Sequence, residues 1–118
     1  MTNNELVYNE YKNTIETIYL ENYNYIDVLK LTRDKIHMGH RLYTHPLAGS
    51  IKANDTPYKS IVISKYEEEL DENSLNIIEN SIQVCTDLLT NNSTPLWTKE
   101  VLGSFMMIDL SIIKNSIT

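Results

Sequence analysis

Residues 58–92, YKSIVISKYEEELDENSLNIIENSIQVCTDLLTNN, hold the pattern on which the fold turns. Ile61, Val62 and Ile63 form a compact β-branched run between Pro57 and the acidic residues 67–69, which reads as a buried strand. Past the acids, Leu75, Ile78, Ile82, Cys85 and Leu89 recur three and four residues apart. That spacing puts them on one face of a helix. Asp71 or Asn73 can cap its start, and Asn91 or Asn92 can take the left-handed conformation at its end.

Upstream, residues 14–20 (TIETIYL) alternate Ile15, Thr17 and Tyr19 against Thr14, Glu16, Ile18 and Leu20, the period of a short strand. Asn24 then offers an N-cap, and Ile26, Leu29, Arg33 and Ile36 follow at helical spacing, with Val28 and Leu31 widening the stripe until Gly39 ends it. Downstream of Pro95, the residues Val101, Leu102, Phe105, Ile108, Ile112 and Ile113 mark a last amphipathic helix, in which Gly103 costs some propensity. Strand, helix, irregular loop, strand, helix, helix is the order of a small single α/β domain over residues 1–118. It predicts a short, mostly parallel sheet flanked by helices, with two helices at the C-terminal end. A third strand is expected at 5–8 or at 41–44.

The 118 residues suit one domain, and 42% hydrophobic with 22% charged residues can support a buried core. Cys85 is the single cysteine, so no internal disulfide can form, and a reducing compartment fits. The opening MTNNELVYNE lacks a basic n-region and an apolar h-region, and no apolar run is long enough to cross a bilayer, so a cytoplasmic location away from membranes is expected. The net charge of −6 argues against nucleic acid as a partner. That charge is uneven. Residues 30–60 hold six basic and two acidic side chains, a local +4 against −10 elsewhere. Such an island can meet a small anion where it cannot meet a polymer.

The island coincides with a long connection, residues 39–58, and connections of this length without regular pattern are usually functional. Arg41 and Lys52 can supply charge; Thr44, Ser50, Thr56 and Ser60 hydroxyls, Tyr58 and the Gly49 backbone can supply donors; His40 and His45 can orient a ligand or exchange protons. Arg33 and Lys35 are explained equally by a helix C-terminus that favours cations. Pro46 restricts His45 to extended backbone, so its imidazole points in a fixed direction and makes it the candidate general acid or base of a rival, enzymatic reading. His37, His40 and His45 lack metal-ligand spacing, and neither a metal nor another cofactor is expected. Cys85 lies on an apolar stripe and reads as a small buried hydrophobe.

Residues 27–64 resemble the GrdX family of small proteins encoded alongside the glycine, sarcosine and betaine reductase systems of amino-acid-fermenting anaerobes. The matching residues are Arg33 and Asp34, Gly39 and His40, Thr44 through Leu47 as Thr-His-Pro-Leu, Gly49 and Ser50, and Thr56, Pro57 and Tyr58. Ala53 stands where the pattern has a proline, and Tyr43 replaces an aliphatic residue. The Thr2, Asn3, Asn4 triplet resembles the loop after a first apolar strand, which would be an edge of the expected sheet. The resemblance implies a pathway setting and no reaction. The leading expectation is an accessory protein of amino-acid (glycine) reductase metabolism that binds a small anionic ligand or a reductase-system protein. A purely structural interaction subunit, and a homodimer, are the further expectations.

Overall fold

The computed structural model describes residues 1–49 and 51–117. Four helices follow one another: α1 (Glu5–Tyr11), α2 (Tyr25–His37), α3 (Glu72–Asn91) and α4 (Lys99–Ile117). Side-chain caps set three of the starts. Asn4 accepts from the Leu6 amide, Asn24 from the Asp27 amide and Asp71 from the Ser74 amide, each satisfying a donor that the first turn leaves without a partner. At the end of α2, Gly39 sits at φ +110, where a Cβ would collide with the backbone carbonyl of Glu68. Glycine is therefore required there, and the Glu68 amide donates to the Gly39 carbonyl at 3.0 Å.

Helices α2 and α3 pack together, and α1 packs on α4. Val28, Leu29 and Ile36 of α2 meet Ile78 and Cys85 of α3 in the core, joined by Leu20, Tyr25, Ala53 and Ile61. Burial pushes the Cys85 thiol up to about 11, so it behaves as the apolar side chain its stripe suggested.

The expected α/β fold with a parallel sheet is not formed. Among the described residues there are three isolated bridges and no strand: Thr2 with Tyr19 in parallel, and Thr2 with Ser60 and Leu42 with Ile63 in antiparallel sense. Side chains interrupt the ladders. The Val62 amide donates to the Thr44 hydroxyl, and the Lys59 amide donates to the Asn3 side-chain oxygen. Residues 11–15 turn, with the Thr14 and Ile15 amides both donating to the Tyr11 carbonyl, so the alternation of 14–20 ends in a single bridge. Of the two places proposed for a third strand, 5–8 lies in α1, because Asn4 caps a helix there, and 41–44 contributes one bridge. The C-terminal end of α3 also differs from expectation. Asn92 is extended at φ −129, and both its amide and its side-chain nitrogen donate to the Leu88 carbonyl.

Candidate functional site

The Thr2, Asn3, Asn4 triplet is buried and holds the segments around it together. Asn3 donates from its side-chain amide to the carbonyls of Tyr23 (2.9 Å) and Pro57 (2.8 Å). Asn4 donates to the Met106 carbonyl at 2.9 Å and to Asp109 Oδ2 at 3.0 Å, both on α4. Ser60 Oγ donates its hydrogen to the same carboxylate oxygen at 2.7 Å, so the 2.7 Å contact between Thr2 and Ser60 must run from the Thr2 hydroxyl to the serine oxygen. The Asn4 amide donates to Thr2 Oγ1 in turn. A relay of hydroxyls thus ends on the buried Asp109, each donor polarising the next.

Beside this relay lies a cavity of about 530 Å³, within the usual range for a ligand pocket. Residues 14–18 form one wall and residues 60–65 the other, and Val7 and Ile113 contribute to the lining. Lys35, His40 and Lys65 join that lining. His40 Nδ1 lies 2.8 Å from the Ser64 carbonyl and Nε2 3.8 Å from the Glu67 carboxylate, which fixes the ring. The Met1 ammonium donates to the Ile61 carbonyl at 2.8 Å, and burial lowers its pKa to about 6.

The other predicted residues do not converge with His40. Arg41 is exposed, and its amide donates to the Ser64 hydroxyl. Thr44 accepts from Val62, and the exposed His45 accepts at Nδ1 from the Leu47 amide. Lys52 is exposed, and Thr56 accepts from the Tyr58 amide. Gly49 takes φ +102 against the Ile112 side chain, and Ser50 lies outside the described residues. Thr56 and Tyr58 line a second, small cavity of about 20 Å³ with Tyr25, Lys59 and Asp109. There Lys59 donates to the Ala48 carbonyl at 3.2 Å, over the Tyr25 ring. Burial lowers the Lys59 pKa, and Asp109 opposes that shift. Burial likewise raises the Tyr58 hydroxyl, with Glu5 adding to it. Among the described residues, no three His, Cys, Asp or Glu side chains gather closely enough to hold a metal ion, and no helix is long and apolar enough to cross a membrane.

Sequence reasoning did not join Thr2, Asn4, Ser60 and Asp109 to one another, because the pairs Thr2 with Ser60, Ser60 with Asp109 and Asn4 with Asp109 are each far apart in the chain. A signal was present for Asp109 alone: a carboxylate between Ile108 and Ile112 on an apolar helix needs a partner. What the fold and the cavity define is a small helical protein with a ligand-sized groove whose lining carries Lys35, His40 and Lys65 together with one carboxylate, Glu16. The sequence pattern of the GrdX-like protein family matches residues 1–118, and the chain belongs to that family. No curated protein and no solved structure matches it.

Proposed function

We propose that this protein is an accessory binding protein of an amino-acid, glycine-type reductase system, and that it holds a small anionic ligand with an apolar body in the 530 Å³ groove. The reductase setting rests on the family resemblance in residues 27–64. The binding role rests on one observation: Lys35, His40 and Lys65 line a cavity whose other lining includes Val7, Ile15, Ile18, Ile61 and Ile113. Isoleucine walls favour the ligand's hydrocarbon, and the ammonium groups favour its charge. Among the described residues of the 39–58 loop, His40 lines the groove whereas Arg41, His45 and Lys52 are exposed, which supports His40 as the loop's contribution.

Thermal denaturation with hexanoate, hexanol, phosphate and glycine tests this reading. A ligand at ten times its Kd stabilises the folded state by about 1.4 kcal/mol, a rise of roughly 5 °C for a chain of this size. Hexanoate is expected to raise the melting point and hexanol to raise it less. The Lys35→Ala, Lys65→Ala double variant should lose the difference between them. Unchanged melting with every anion, or a hexanoate shift intact in the double variant, would sink the proposal.

A further inference from the structure

Of the 19 residues of α4, Asp109 and Ile113 alone are buried, and among the described residues α1 is the one helix packed against it. Its outward side is nevertheless apolar. Val101, Met107, Ile108 and Ile117 stay exposed, Met107 at 66%. Between 101 and 113 the single charged residue is Asp109, which is buried, so the exposed part of this stretch carries no charge. An uncharged helix face of this length is one that a partner normally covers.

Charge returns at the two ends of the stretch in a fixed register. Glu100, Met107 and Lys114 stand seven residues apart, so they form one line along the helix, with Gly103 and Leu110 three residues after the first two. All three residues of the line are exposed, and it runs along the side away from Asp109 and Ile113. Lys114 reaches Glu10 of α1 at 3.2 Å, which holds its ammonium at the end of the face.

An acid, an apolar residue and a base at even spacing are complementary to the same line reversed. We infer that the outward face of α4 pairs with α4 of a second copy of this chain, antiparallel about a two-fold axis at Met107. In such a contact residue i meets residue j and j meets i. Glu100 falls beside the partner's Lys114, Lys114 beside the partner's Glu100, and Met107 meets its own copy. Reversal also sets the two helix dipoles in the favourable sense, whereas a parallel pair would bring glutamate to glutamate and lysine to lysine. Nothing lies within 4 Å of a Cβ built at Gly103, and the partner's Leu110 arrives in that space. The choice of occupant follows from this symmetry, since only a second copy requires opposite signs at equal distances from Met107. Over the rest of the surface a net charge of −6 keeps copies apart. The line from Glu100 to Lys114 is about 21 Å long at 1.5 Å per residue. A contact one helix wide and of that length is smaller than the roughly 800 Å² per partner of a standard interface, so association in the micromolar range is expected. The pairing goes beyond the binding reading above and does not depend on it.

Sedimentation equilibrium across the micromolar range should show monomer and dimer in exchange. Met107→Lys, which sets two ammonium groups on the axis, should weaken the dimer at least tenfold. Glu100→Lys alone faces lysine with lysine and Lys114→Glu alone faces glutamate with glutamate, so each should be monomeric where the parent is a dimer. Mixed in equal amounts, these two single variants should pair with each other, because every lysine on the line then meets a glutamate of the other chain. Misfolding does not produce that rescue, although Lys114→Glu also forfeits the bond to Glu10. A monomer at every concentration would overturn the inference, as would a dimer untouched by Met107→Lys. A dimer broken by Met107→Lys, with no pairing between the mixed single variants, would overturn the antiparallel register.

Discussion

Truncating Asn4 to alanine removes three interactions at once: the cap on Leu6, the bond to the Met106 carbonyl and the bond to the Asp109 carboxylate. The cap is worth about 1 kcal/mol. A neutral hydrogen bond adds roughly 1 kcal/mol and a bond to a buried carboxylate about 1.5 to 3. The sum is about 4 kcal/mol, and with an unfolding entropy near 2.1 cal/mol/K per residue a 118-residue chain should melt about 16 °C lower. Much of that loss belongs to Asp109, which retains Ser60 but forfeits a donor in a site with little water. A double-mutant cycle isolates the pair. Urea unfolding of Asn4→Ala, Asp109→Ala and the double variant should give a coupling of about 2 kcal/mol, because once the carboxylate is gone the asparagine has less to lose. Additivity within about 0.5 kcal/mol would refute the idea that Asn4 and Asp109 act as one unit.

The three glycines should separate by geometry in thermal melts. Gly39→Ala meets a fixed carbonyl at positive φ and should cost more than about 2 kcal/mol; Gly49→Ala meets the movable end of Ile112 and should cost less; Gly103→Ala, in open space within α4, should stabilise by about 0.5 to 1 kcal/mol. The raised Cys85 pKa means the folded state keeps a proton that the unfolded chain releases, so this contribution is intact below pH 9 and is lost as pH rises towards about 11. Comparing urea stability across that window, Cys85→Ala should show a shallower alkaline decline than the parent, and identical slopes would contradict the assignment. Tyr25, raised mainly by burial, is retained in both proteins; the smaller part of its shift that comes from Cys85 goes with the thiol and acts in the same direction, towards the shallower decline. His45→Ala should leave hexanoate binding unchanged, since the ring is exposed and bonded to its own loop; a loss of binding would return the site to the outer face of the loop.

Loop side chains were the harder part to read. Composition and charge singled out residues 39–58, yet a hydroxyl or imidazole in a loop has two uses that look alike in sequence: holding a ligand or satisfying a nearby backbone amide. Thr44, His45 and Thr56 accept from the amides of Val62, Leu47 and Tyr58. His40 differs because its ring bonds the Ser64 carbonyl and both residues line the groove, a contact across 24 residues that no local spacing encodes.

What the sequence determined by itself is local. The spacing of Leu29 and Ile36, of Ile78 and Cys85, and of Ile108 and Ile112 places α2, α3 and α4, and Asn24 and Asp71 start two of them, because a helix closes its hydrogen bonds within four residues. The β-branched run 61–63 is likewise legible as an extended, largely buried segment. Whether such segments become a sheet was decided only in three dimensions. A strand needs a partner at long range along its whole length, and here Asn3 and Thr44 side chains take up ladder donors while residues 14–18 and 60–65 line a groove. The same closure brought Thr2, Ser60 and Asp109 together from the start, middle and end of the chain, since burying a carboxylate requires donors that the distant segments had to supply.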